Sequence, residues 1–292
     1  MKDAKAWGPC DKGDRSMQMV RYADAELKTR GINHRVGTFK YKELGEGLPG
    51  AAGNFNLRMV WSETDFFSPR HMHNFDQVRV QIHGTFHFDK DGRMKPGVVA
   101  YFPEGTPYGP QTSQEDTATL VMQIGGASGE GYLSEAERIA AVEQLAGTGH
   151  FDKGRYFATG HTSGTDSFQA AWELARGRKM SYPPRRFQKP VFIHADAVGW
   201  SALPGRPGVE HRRLWNFGDR TVNLDQYRIA PAARCDLSGA ASCFIEQGGG
   251  LFSCFADQAF EPFDTLHLTA GKRASFTALA QTHLLVFTHP VF

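Results

Sequence analysis

The chain has 292 residues, 40% of them hydrophobic, with 33 Lys plus Arg against 31 Asp plus Glu. So small a net charge argues against nucleic acid or an anionic membrane surface as the main partner. Twenty-two phenylalanines at that charge exclude an intrinsically disordered chain, and the length suffices for two domains of ordinary size.

The opening Met1-Lys2-Asp3-Ala4-Lys5 is followed by no apolar run, so no signal peptide is expected. No apolar stretch approaches the ~20 residues of a membrane span. In chain order, the first strands are expected at Asn54 to Trp61, Gln77 to His83, Val98 to Phe102 and Thr117 to Ile124, each rich in β-branched or aromatic residues between turn formers. Asp89-Lys90-Asp91-Gly92 reads as a hairpin turn. Gly125-Gly126-Ala127-Ser128-Gly129 follows a strand but lacks the Lys-Ser/Thr of a phosphate loop, and reads as the exit from the first strand region.

Helix then interrupts the pattern. Ser134 and Glu137 have capping-box spacing, Ile139, Val142 and Leu145 follow at helical period, and Gly147 supplies a stop. A second short helix is expected over Asp166 to Arg176, closed by Gly177. Ser181-Tyr182-Pro183-Pro184 reads as extended connector. The basic cluster of Arg176, Arg178, Lys179, Arg185, Arg186 and Lys189 falls in this connector and reads as a solvated linker or interdomain ion pairs. Strands return at Thr221 to Ile229, Ala241 to Glu246, Thr265 to Leu268 and His283 to Thr288. The expected organisation is a domain over 1–130, a helical and extended connector over 131–190, and a second strand-rich domain over 191–292. The two halves look duplicated in pattern, without a residue-by-residue repeat. Cys10, Cys235, Cys243 and Cys254 form no C-x-x-C pair. A reducing cytoplasm is expected, with one disulfide among the last three left open.

The most informative stretch is His71-x-His73, then Gln77, then Gly84. Two imidazoles two positions apart on extended backbone point to one side, and neutral imidazole is the commonest protein metal ligand. The Gln77 amide oxygen offers a further donor, with Asp76 as its rival in a shifted register. If Gln77 points inward, Arg79 and Gln81 do too, because side chains alternate along a strand. An inward Arg79 suits a carboxylate, whose geometry its fork matches. Phe66, Phe67, Tyr101 and Met122 are candidates for an apolar wall, and Gln111 for a polar contact. His83 and His87 read as hairpin polar residues. No Ser–His–Asp or Cys–His nucleophile motif stands out.

The segment from Ser68 to Gln77 and on to Gly84 resembles the first diagnostic motif of the cupin superfamily. Its leading Gly is absent, and Gln77 stands at the usual Glu. Gly97, Pro103, Gly105 and Tyr108 resemble the second motif, with Tyr108 at the usual His. The resemblance covers roughly residues 68–111. It implies an all-β fold of two tandem cupin barrels of the double-stranded β-helix or jelly-roll kind, the later one degenerate. It also implies one divalent metal, Fe, Zn, Mn or Ni, in the first barrel on His71, His73, Gln77 and Tyr108. Tyr108 serves there as ligand or as acid or base. The later half has no His-x-His. His194, His211, His267, His283 and His289 read as isolated, so no second metal is expected. Replacing Glu by Gln leaves the ion more positive and favours Lewis-acid behaviour.

The expected function is a metal-dependent enzyme for a small polar metabolite bearing a carboxylate or enolate. Dioxygenase-like oxidation stands first. Redox-neutral lyase, isomerase or hydrolase chemistry is the alternative, and a non-catalytic ligand-binding or sensor role is a third. The expected partners are a small-molecule substrate and, from the resemblance, a second copy in a homodimer.

Overall fold

A computed structural model describes residues 17–31, 38–47, 53–64, 66–125, 133–217, 222–255 and 258–289. Cys10, the glycine-rich run after Gly125 and Thr221 lie outside them. The chain divides into two compact units: Glu26–Ala197, and the residues up to Ala25 together with those from Val198 onward. Among the described residues no helix is long and apolar enough to cross a membrane.

Strand β1 (Met17–Val20) belongs to the later unit. The first unit contains β2 (Leu27–Gly31), β3 (Thr38–Glu46), β4 (Phe55–Ser62), β5 (Phe67–Ser68) and β6 (Asp76–His83). These are followed by β7 (Phe86–His87), β8 (Arg93–Met94), β9 (Val98–Phe102), β10 (Gln111–Ser113) and β11 (Thr117–Ile124). Helix α1 (Glu135–Ala146), a small sheet of β12 (Gly149–Asp152), β13 (Arg155–Ala158) and β14 (Thr165–Asp166), and helix α2 (Ser167–Arg176) come next. Then β15 (Val191–His194) returns to the main sheet.

All strand pairs here are antiparallel. A seven-stranded sheet in the order β15-β9-β6-β11-β4-β3-β2 faces a four-stranded one in the order β5-β10-β7-β8, giving a jelly-roll barrel. Register places one row of residues straight across five strands. Glu43 stands opposite Arg58, Arg58 opposite Val121, Val121 opposite Arg79, and Arg79 opposite Ala100. Gly84, at φ +67, turns the chain out of β6. A Cβ there would lie 2.3 Å from the Asp116 carbonyl oxygen, so only glycine fits.

The helices form for the reasons their ends announce. Ser134 accepts from the Glu137 amide and Glu137 accepts from the Ser134 amide, a complete capping box; Asp166 caps α2, and Gly177 ends it in left-handed conformation. Their buried faces share a core with Leu133, Ala141, Leu145, Ala171 and Trp172. The stretch read as a connector is thus packed substance of the first unit.

The second unit contains β16 (Ser201–Ala202), β17 (Val209–Phe217), β18 (Val222–Ile229), β19 (Arg234–Ser238) and β20 (Ala241–Gln247). It continues with β21 (Gly250–Phe252), β22 (Ala259–Phe260), β23 (Thr265–Leu268), β24 (Arg273–Ala278) and β25 (Thr282–Thr288). Its large sheet runs β1-β23-β20-β25-β18-β17-β16, and its small one β19-β24-β21-β22. Matched by position, these are the strand orders of the first unit, down to a register break between Glu43 and Gly45 in β3 and one between Arg213 and Trp215 in β17. The protein is therefore an all-β chain of two jelly-roll barrels.

The second barrel is filled with hydrocarbon. Phe252 packs on Phe260 and Phe276 at centroid distances of 4.6 and 4.9 Å, together with Cys235, Cys243, Ile245, Leu284 and Val286. Cys235, Cys243 and Cys254 are free and buried, so no disulfide joins them. Burial pushes the Cys235 thiol up to about 12 and raises that of Cys243 as well. Two of the histidines read as isolated meet here. Ser242 Oγ lies 2.7 Å from His267 Nδ1 and 2.6 Å from His289 Nε2, all three residues buried. Burial, with His267 close by, depresses His289 to about 3 and keeps it neutral.

Candidate metal and ligand site

Strand alternation builds the interior of the first barrel. Asn56, Arg58, Val60 and Ser62 on β4 alternate with Phe55, Leu57, Met59 and Trp61. The polar set shares a face with Gln77 and Arg79 on β6 and with Thr119, Val121 and Gln123 on β11. That face lines a cavity of about 150 Å³. The opposite face, with Leu57, Met59, Val78, Val80, Leu120 and Met122, is buried too. The polar side therefore turns inward.

His71 and His73 enter on the loop between β5 and β6. Backbone hydrogen bonds hold that loop to the second motif: Tyr108 N–H donates to the His71 carbonyl at 2.9 Å, and Gly105 N–H to the His73 carbonyl at 2.7 Å. The two rings lie side by side, centroids 4.9 Å apart at 75°, and Tyr108 packs 4.6 Å from His71. His73 stacks on Phe75 at 4.4 Å. His71 Nδ1 lies 2.6 Å from the Pro69 carbonyl, which can only accept. The ring proton is thereby assigned to Nδ1 and the lone pair to Nε2, the tautomer a metal requires. Gln111 Nε2 lies 3.4 Å from that Nε2.

Arg79 points inward and organises the floor. Its Nε donates to Gln77 Oε1 at 2.6 Å, its Nη1 to Gln111 Oε1 at 2.7 Å, and its Nη2 to Tyr108 OH at 3.3 Å. The guanidinium lies 4.7 Å from the Phe102 ring centroid, a cation–π contact. The Gln77 oxygen expected as a ligand accepts from Arg79. Asp76 is directed to the other face. It accepts from Tyr101 OH at 2.8 Å and the Glu104 amide at 2.9 Å, and burial pushes its carboxyl up to about 6.

The other expected site residues divide. Gln111 and Phe66 line the cavity with Phe86 and Phe39. Gln81 does not: its amide donates to the His83 and Gly84 carbonyls and accepts from Thr119 Oγ1, fastening the hairpin. Tyr101 and Met122 alternate onto the opposite face of their strands, and Phe67 is exposed. Sequence reading missed the contribution of the helices. Glu135, Arg138 and Val142 of α1 and Phe168 of α2 close one side of the cavity. It also missed Arg58, whose alternation with leucine and methionine reads equally well as a solvent-facing pattern.

Charge at this site is unbalanced. Arg58, Arg79 and Arg138 line the cavity against the single carboxylate of Glu135, which accepts from Tyr41 OH. Behind Arg58 sits Glu43, 3.5 Å from its Nη2 and bonded by the Asn56 amide. Burial outweighs Arg58 and pushes Glu43 up to about 7. Among the described residues no three or more His, Cys, Asp or Glu cluster as metal ligands. The donors gathered are two imidazoles, amide oxygens and a phenol. The His71 tautomer and the paired rings fit a divalent ion held by two histidines, with the remaining positions left to other groups.

No protein-family model and no curated protein sequence matches this chain. Solved structures do. A dioxygenase candidate from Nostoc punctiforme superposes with TM-score 0.64 at 10% identity, over 94% of this chain and 82% of that one. HEPD from Streptomyces albus, with 2-hydroxyethylphosphonate and Fe(II) bound, gives 0.57 at 13% identity, over 95% and 76%. Oxalate decarboxylase from Bacillus subtilis gives 0.52 at 11%, over 92% and 75%. At such identities the likeness establishes the fold.

Proposed function

Starting from a chain with the two-barrel cupin fold, we propose that its first barrel is a metal-dependent enzyme site for a small organic acid. His71 and His73 would hold the ion. Arg79 anchors the acid group of the substrate, and Tyr108 moves a proton at its phenolic oxygen. The observation that carries this reading is the Arg79 guanidinium, turned into the cavity that the His73 imidazole also lines. An anion bound between a guanidinium and a cation is attracted by both. Arg79 donates to the Tyr108 oxygen, which puts a group bound at Arg79 within reach of the phenol. Phe66, Phe86 and Phe168 wall the cavity and limit water.

When bound, the ion supplies Lewis-acid polarisation or, as iron, a site for oxygen chemistry. Oxygen-dependent oxidation is the first reading, supported by the structural likeness to a dioxygenase candidate and to an Fe(II) protein with a bound phosphonate. Redox-neutral chemistry is the second, favoured by a donor set without a carboxylate. The test is metal analysis of the as-purified protein, followed by oxygen uptake with small hydroxy- and oxo-acids. Stoichiometric metal with acid-dependent uptake supports the first reading, and turnover without uptake supports the second. Failure to bind Fe(II), Mn(II), Ni(II) or Zn(II) on reconstitution overturns both.

A further inference from the structure

We propose that the cavity is built for an acid with two anionic groups, a short-chain dicarboxylate, clamped between Arg79 at one end and Arg58 with Arg138 at the other. This rests on the reading of the cavity as the substrate site. It adds a second anchor that the metal does not require.

Three observations carry it. First, Arg58 and Arg79 stand on one row and one face of the sheet, each paired to Val121. Two strand spacings separate their backbones, about 10 Å. Two guanidiniums thus reach into one cavity from opposite sides of a valine, leaving a gap for a few carbons between two forked contacts.

Second, donors at the far end go unmet, although Glu43 Oε2 and Asn56 Oδ1 are buried acceptors there that likewise make no hydrogen bond among the described residues. Arg58 Nε and Arg138 Nη2 are buried and make no hydrogen bond among the described residues. A buried N–H without an acceptor is costly, and an anion placed there removes the cost. Glu43, its carboxyl raised by burial, only partly balances Arg58. Glu135 is the one carboxylate on the wall and is already engaged by Tyr41.

Third, the volume of about 150 Å³ selects size. It matches a cavity that holds a benzene-sized molecule and is far below the range for drug-sized ligands. A four- or five-carbon diacid fits; a nucleotide or sugar phosphate does not.

The test uses the full chain and calorimetric titration with succinate, glutarate and the chain-matched monoacid butyrate. Wild type should bind succinate about tenfold or more tighter than butyrate, the effect of one further charge-assisted contact. In Arg58→Met that preference should collapse to within about twofold, and Arg58→Lys should restore part of it. Thermal midpoints verify folding. Should Arg58→Met fail to fold, Arg138→Met provides the same comparison from the helix side. Equal affinities in wild type, no binding of any of the acids, or a preference that survives loss of both Arg58 and Arg138 overturns the proposal. His71→Ala separates it from the metal reading: an intact succinate preference in that variant keeps the clamp even if the protein takes up no metal.

Discussion

The two barrels share one strand order, and one row across the sheet shows how their interiors differ. In the first, Glu43, Arg58, Val121, Arg79 and Ala100 stand side by side across the sheet. At the matching positions the second has Arg213, Asp225, Val286, Cys243 and Leu266. The valine is kept, the acid–base pair is reversed, and the inward arginine is a cysteine. In the second barrel the pair satisfies itself, Arg213 Nε and His211 Nε2 each lying 2.9 Å from Asp225 Oδ1. Phenylalanines fill the space beyond. The loop differs as well. Residues 69–75, carrying both histidines, separate β5 from β6, whereas only Gly239 and Ala240 separate β19 from β20. One architecture thus makes a polar cavity or a solid core, depending on a few inward side chains and one loop.

The comparison can be broken most directly at the histidines. His71→Ala should reduce stoichiometric metal to traces by elemental analysis, while His267→Ala in the second barrel should leave metal content at the wild-type level. Retention of metal by the first variant would sink the assignment.

Exchanging the row is the next test. Cys243→Arg puts a charge into packed hydrocarbon and should cost about 3–5 kcal/mol in denaturant unfolding. Arg79→Cys should cost much less, because its guanidinium faces a cavity. Equal losses would mean that the first barrel is as tightly packed as the second.

Acidity should act in opposite directions on two buried groups, one in each unit. His289 is depressed below its ordinary value, so its contribution is present above about 6.5 and declines as pH falls toward about 3. Glu43 is raised, so its contribution is full below its ordinary value of 4.5 and is lost as pH rises through about 7. As pH falls from 6.5 to 4.5, amide protection factors, which remove the intrinsic pH dependence of exchange, should rise around Glu43 and fall around His289. Parallel changes in both would contradict this assignment.

The smallest effect concerns the helices. Ser134→Ala removes a cap and should destabilise α1 by about 1 kcal/mol. Because α1 walls the cavity, acid affinity should weaken with it; the second barrel has no α-helix among its described residues to lose. Unchanged affinity alongside a lowered midpoint would confine the helix to a structural role.

Much of this was legible beforehand. Val98–Phe102, Thr117–Ile124 and Thr265–Leu268 form the expected strands, and the capping box at Ser134 and Glu137 starts the expected helix. Local rules govern these features, so local sequence suffices. Tyr101 and Met122 are expected in the site because their residue types suit one, and Gln81 because alternation sets it beside Gln77 and Arg79. Alternation sends the first two to the opposite face, and hairpin carbonyls occupy the third. The pattern of β4 separates two faces without naming the inner one, since both are buried here.

What the sequence determined by itself is the set of strands, the helix ends and the proximity of His71 to His73, because each depends on neighbours within a few residues. Tertiary structure alone decided that Arg58 and Arg79 share a cavity and that the helices wall it. Those contacts join residues up to about 130 positions apart, and they follow from strand register and barrel closure, which no local pattern encodes.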